Sequence, residues 1–114
     1  MNAFEIPGLR FSLPAGGAVA RHRFVDVDTS GNGVAATAAG KAVGVSMNQV
    51  ATGQVLEVAD GIVIVEASAA IAAGAKVCAA ADGKAVTVAG AEVLLGIALT
   101  SASGAGMHVT VKLA

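Results

Sequence analysis

The run Asp26-Val27-Asp28-Thr29-Ser30-Gly31 sets oxygen donors at alternate positions and a glycine at the sixth, as the first half of a calcium-binding loop does. The match then ends. The twelfth position is Thr37, where a bidentate Glu is needed, and the related segment Cys78 to Gly83 keeps only Asp82. An exposed strand end and turn explains the same residues. His22 and His108 are the only imidazoles and Cys78 the only thiol, and their scatter along the chain spells no zinc site. No Gly-x-Ser-x-Gly or cysteine-flanking signature supports a nucleophile with a base. Gly31-Asn32-Gly33 and Gly104-Ala105-Gly106 lack the third glycine and following helix of a phosphate cradle, so both read as hairpin turns. No catalytic residue, metal ligand set or cofactor is therefore expected. The remaining cluster, Arg21-His22-Arg23, is the one local concentration of positive charge. It reads either as a contact for an acidic partner surface or as a solvated bend before a strand.

Composition narrows the function classes further. A chain of 114 residues is expected to form one compact domain that buries roughly two thirds of its unfolded surface. Seven Lys and Arg against eight Asp and Glu leave a net charge of -1, so no basic field draws nucleic acid. There is no Trp or Tyr on which bases could stack. Hydrophobic residues reach 55%, yet Asn48, Gln49 and Gln54, then Glu66 and Lys76, then Glu92 interrupt every candidate membrane span. No membrane partner is expected. Glu5, Pro7 and Arg10 fall where the apolar part of a secretory signal would sit, so none is expected there, and a single cysteine fits a reducing cytoplasm. Charged residues make up only 13%, which is little for a monomer. Some apolar surface is expected to be covered by another chain.

The frame that would carry any site is an internal repeat. Ala15 to Met47 recurs 52 positions later as Ala67 to Leu99: Val19 maps onto Ile71, Val25 onto Val77, Gly31 onto Gly83, and Val43-Gly44-Val45 onto Leu95-Gly96-Ile97. Apolar and glycine positions repeat while polar ones do not, as expected where backbone and core are duplicated without chemistry. Arg21-His22-Arg23 departs from the pattern, for it maps onto Ala73-Gly74-Ala75. Short alternating segments between glycine turns predict strands, with hairpins across Asp60-Gly61 and Asp82-Gly83, since a type I′ loop needs positive φ. Leu95, Ile97 and Leu99 are expected on one face, as are Val109, Val111 and Leu113. Ala67 to Ala73 could form one or two helical turns, but no sustained helical stripe exists. Residues 1–14 lie outside the repeat and hold Phe4, Ile6, Pro7, Leu9 and Phe11. They form either an arm that docks on a neighbour or a first, edge strand of the chain's own barrel. Turns about every ten residues favour an all-β barrel or sandwich.

Several segments taken together add a resemblance. Ile6-Pro7-Gly8-Leu9, Ala42-Val43-Gly44-Val45 with Ala51-Thr52-Gly53-Gln54, Ile71 to Val77, Asp82-Gly83-Lys84-Ala85-Val86 and Leu94 to Leu99, in this order, resemble the capsid cement or head decoration proteins of tailed bacteriophages. The family pattern has an acidic residue where Ala75 stands. The resemblance implies a small β-barrel of β-tulip or β-clip type (residues 15–114, with repeats about 15–58 and 67–111 related by a pseudo-twofold) and the extended N-terminal arm or edge strand. It implies a structural virion protein on the outer capsid surface, assembled in the host cytoplasm. Its partner would be a major capsid protein of the HK97-like fold, which it would cement in the expanded shell. Self-association is expected, as a homotrimer or alternatively a homodimer, with no enzymatic activity and no cofactor. The residues expected to touch capsid or subunit are Phe4, Ile6, Pro7, Leu9, Phe11, Arg21 and Arg23. Readings from other classes are a small ligand- or carbohydrate-binding β module and a small enzyme subunit on a β-clip frame.

Overall fold

A computed structural model describes residues 3–38 and 40–114. The chain is all-β. Its strands are β1 (Ile6–Pro14), β2 (Phe24–Val27), β3 (Gly33–Ala35), β4 (Gly44–Ser46), β5 (Val55–Glu66), β6 (Lys76–Ala79), β7 (Ala85–Thr87), β8 (Gly96–Ala98) and β9 (His108–Leu113), with a 3-10 turn at Ala81–Gly83. They form one sheet in the order β3-β2-β4-β5-β9-β8-β6-β7, and β1 lies against β5. Every ladder among the described residues is antiparallel. Two isolated parallel bridges, Ala15↔Gly33 and Ala67↔Ala85, draw the sheet ends back toward the chain just after β1 and β5. The sheet thus curls into a small β-barrel.

The 52-residue spacing also appears in the pairing. Val25↔Ala35 and Phe24↔Val45 have counterparts in Val77↔Thr87 and Lys76↔Ile97, and the bridge Val19↔Val50 has one in Ile71↔Ala102. Four inward residues follow the same spacing: Ala15, Val19, Val25 and Val50 are buried, and so are Ala67, Ile71, Val77 and Ala102. Ala15, Val19, Val25, Val50, Leu56 and Val58 form one buried cluster, with Phe11 and Leu13 against it. Ala67, Ile71, Val77, Ala102, Val109, Val111, Val63 and Val65 belong to the other cluster, which also takes in Phe24, Val45 and Ala59.

Asp60-Gly61 is not the hairpin that the dipeptide predicts. β5 runs without a break through both residues. Its N-terminal half is laddered to β1 and β4 and its C-terminal half to β9, so neighbours hold the strand extended where an isolated Asp-Gly would reverse it. Gly61, at φ 108°, is the irregular point of a strand buried on both faces: Leu56 and Val58 enter one cluster, and Ala59, Val63 and Val65, at alternate positions, enter the other. The β1 register slips opposite it, between Pro7 and Leu9, and a side chain on Gly61 would meet Gly8 N at 2.7 Å. Asp82-Gly83 does turn the chain: both residues have positive φ, 60° and 74°, as a type I′ pair requires.

Two other expectations change. Ala67 to Ala73 is bridged backbone and not a helix, because Ala67 pairs with Ala85 and Ile71 with Ala102 and both are buried. Along β8 the expected alternation fails: Gly96, Ala98 and Thr100 face in together with Leu95, while Ile97 is half-buried and Leu99 exposed. The barrel is narrow there. A Cβ on Gly96 would lie 2.5 Å from the Lys112 carbonyl oxygen, and one on Gly44 would lie 2.6 Å from that of Ala59.

Candidate functional site

Two regions gather the residues singled out by the sequence. The first is the start of β1. Ile6 and Leu9 are 62% and 61% exposed, far more than large apolar side chains in a strand usually are, and Phe4 is 38% exposed. Pro7 is half-buried. Phe11 turns the other way and packs against the small core cluster, so it is not part of that outer apolar surface. The segment before β1 is fastened to the sheet. Phe4 N donates to Thr110 Oγ1 at 2.7 Å, Thr110 Oγ1 donates back to Phe4 O at 2.8 Å, and Ile64 N donates to Glu5 Oε1 at 3.3 Å. Among the described residues, β1 has a ladder on one side only, the side of β5.

The second region is the 21–23 bend. Buried Ser46 on β4 fixes its path: Ser46 Oγ donates to Ala20 O at 2.6 Å and accepts from Arg23 N at 3.0 Å, while Ser46 O accepts from His22 N at 3.0 Å. Glu66 N donates to His22 O at 2.9 Å from the other side. His22 is thereby held at φ 64°, a left-handed conformation unfavourable for a residue with a Cβ. Gly74, 52 positions later, takes φ 85° with no such penalty. His108, on β9 opposite Glu66, brings its ring to 4.6 Å from that of His22. The two imidazoles, far apart in sequence, are neighbours in space. Burial lowers the His22 pKa from its ordinary value, with the charges of His108 and Arg21 acting in the same direction and Glu5 opposing them.

Arg21 is exposed, whereas the Arg23 side chain keeps only 14% of its surface. Arg23 Nη2 lies 3.4 Å from Glu66 Oε1, and Lys84 Nζ lies 3.5 Å from Glu66 Oε2. Arg23 and Lys84 line a cleft of about 310 Å³ with Gln49, Asp82 and small apolar residues. Sequence reasoning missed Ser46, Glu66 and Lys84. The available signal was Ser46 standing where the second copy has Ala98.

The other candidates resolve into structural roles. Asp28 Oδ1 accepts from Ser30 N and Asn32 N, both at 2.9 Å, closing an Asx turn. These backbone donors, Asn32 first, hold its carboxyl below the usual range. Cys78 is buried, and burial, aided by the charge of Glu92, pushes its thiol pKa up, away from the reactive thiolate. Among the described residues no three His, Cys, Asp or Glu side chains converge as a metal site, and no helix is long and apolar enough to cross a membrane.

The described residues thus form a small β-barrel with exposed apolar side chains at the start of β1 and a charged cleft beside the 21–23 bend. The chain belongs to the phage cement protein family, whose model matches residues 6–113. It is a structural, capsid-associated phage protein, and its place is the virion capsid. The crystal structure of the N base of head fiber gp8.5 in bacteriophage phi29 has the same fold, with a TM-score of 0.78 at 20% identity over 93% of each chain. No curated protein matches the chain.

Proposed function

We propose that the protein binds the outer surface of the phage head and cements neighbouring major capsid proteins of the HK97-like fold, stabilising the expanded shell. Family membership over nearly the whole chain is the observation that carries this reading. The role is binding and not catalysis. The exposed apolar start of β1, Phe4, Ile6 and Leu9 with Pro7 between them, is the contact for capsid or for a second copy, and Arg21 flanks the other contact region. Copies associate as a homotrimer, with a homodimer as the alternative. Residues about 15–58 and 67–111 act as two versions of one unit whose backbone and core positions repeat while its polar side chains differ. The protein is assembled in the host cytoplasm.

Replacing both Ile6 and Leu9 by Asp tests the reading without removing β1. These side chains are mostly solvated, so melting should stay within about 3 °C of the parent. Co-sedimentation with expanded shells, and the added heat resistance of those shells, should be lost. Parent protein that neither sediments with shells nor raises their melting temperature would overturn the cementing role. Full occupancy by the double variant would overturn the assignment of β1.

A further inference from the structure

Among the described residues, all three buried side-chain nitrogens without a hydrogen-bond partner lie in two consecutive residues: His22 Nδ1, Arg23 Nε and Arg23 Nη1. Such groups are rare in folded proteins, because a buried donor left unpaired loses its water without a replacement. A guanidinium presents five N–H donors in a rigid plane. Here only Nη2 faces a carboxylate, and at 3.4 Å that contact exceeds an ordinary N–H···O distance. Lys84 is 3.5 Å from the other oxygen of the same Glu66. Two cations therefore share one anion beside a cleft of about 310 Å³ that both of them line. Asp82 also lines the cleft, from an exposed turn, and makes no ion pair among the described residues. The second half of the chain has no counterpart, since Ala75 and Ala98 replace Arg23 and Ser46 there.

We propose that this cleft receives an acidic side chain, Asp or Glu, from a partner protein, with Arg23 and Lys84 as its recognising cations. A carboxylate in the cleft gives Arg23 and Lys84, which share the single Glu66, a second anion, and charge-assisted hydrogen bonds are roughly twice as strong as neutral ones. The cleft wall made by Ala18, Ala20 and Ala35 leaves room for a short side chain beside the cations. The identity of the partner as the shell protein rests on the cementing role proposed above. The carboxylate chemistry does not depend on it.

The test uses the full chain and two probes. Sodium acetate is titrated at constant ionic strength while NMR follows the Arg23 Nε–H, the Gln49 side-chain amide and the backbone amides of Ala20 and Ala35. Shifts that saturate and stay local to the cleft are expected in the parent protein. Arg23→Lys keeps a cation for Glu66 but removes the guanidinium donors, and the Gln49 response to acetate should vanish. In co-sedimentation with expanded shells, Arg23→Lys should weaken binding about tenfold or more. Ala20→Glu, which places a carboxylate at the cleft from within the chain, should weaken both responses while the protein stays folded. A non-saturating acetate response, or saturation by inorganic phosphate alone, overturns the carboxylate assignment. So does undiminished shell binding by both variants. Failure of the parent protein to bind shells overturns the cementing role instead, and the acetate titration still decides the site.

Discussion

Replacing Gly96 by Ala should unfold the protein at markedly lower temperature, although it adds a single methyl group. The new Cβ would sit 2.5 Å from the Lys112 carbonyl oxygen and 2.6 Å from Val111 Cγ1. A carbon normally approaches a carbonyl oxygen no closer than about 3.3 Å, so β8 has to move off β9 by about 0.8 Å. The obstacle is backbone of a central strand and cannot rotate away. The shift strains the ladder Gly96↔Leu113, Ile97↔Lys112 and Ala98↔Val111 on which β8 depends. Overpacking together with one or two weakened ladder bonds amounts to about 3–4 kcal/mol. At about 4 °C per kcal/mol for a domain of this size, the midpoint falls by about 12–16 °C. Gly44→Ala meets the Ala59 carbonyl oxygen at 2.6 Å and should match it. Gly17→Ala is the control, for nothing lies within 4 Å of its added Cβ. Far-UV circular dichroism during heating, repeated in urea, reads all three. A Gly96→Ala midpoint within about 3 °C of the parent would refute the close-approach argument.

Other expected outcomes concern the His22 bend and the pH response. His22→Gly relieves a left-handed conformation while adding freedom to the unfolded chain, so stability should change by less than about 1 kcal/mol, whereas His22→Val should lose about 2 kcal/mol or more. Equal losses in both, measured by urea titration, would show that φ is not what matters at this position. The His22 pKa is lowered on folding, so the unfolded chain binds its proton first as pH falls. Its contribution to stability is complete above the unfolded value of about 6.5 and declines as pH drops toward and through the folded value. Melting should therefore be lower at pH 5.5 than at pH 7.5, with a smaller difference in His22→Gly. An unchanged difference in that variant would assign the pH response to other groups. Deleting residues 2–13 should unfold the chain, because it removes most of β1 along with Phe11 and Leu13 from the smaller core, and retention of a cooperative melt would refute that.

The strands were legible where a residue's partner is fixed by its own neighbourhood. Asp82-Gly83 turns as its dipeptide demands, and the apolar spacing around Val25 and Val77 places both inside. Asp60-Gly61 misled for a physical reason. The same two residues can end a hairpin or kink a strand, and the choice rests on β1, β4 and β9, which come from distant sequence. β8 misled because size and not hydrophobicity decides what faces a narrow interior, which put Gly96 and Ala98 inside and Leu99 outside. The 21–23 bend was visible as a break in the repeat. Its surroundings were not, since Ser46, Glu66, Lys84 and His108 reach it only through tertiary pairing.

β5 carries a consequence for how the molecule bears load. It supplies Leu56 and Val58 to one buried cluster, and Ala59, Val63 and Val65 to the other. Tension applied between the two ends of the barrel therefore travels along covalent backbone and is not borne by a seam of side chains between two lobes. Neither cluster can open alone without disturbing the strand that both share. A molecule of this kind yields in one step, as a rivet does, and not by the gradual parting of two plates.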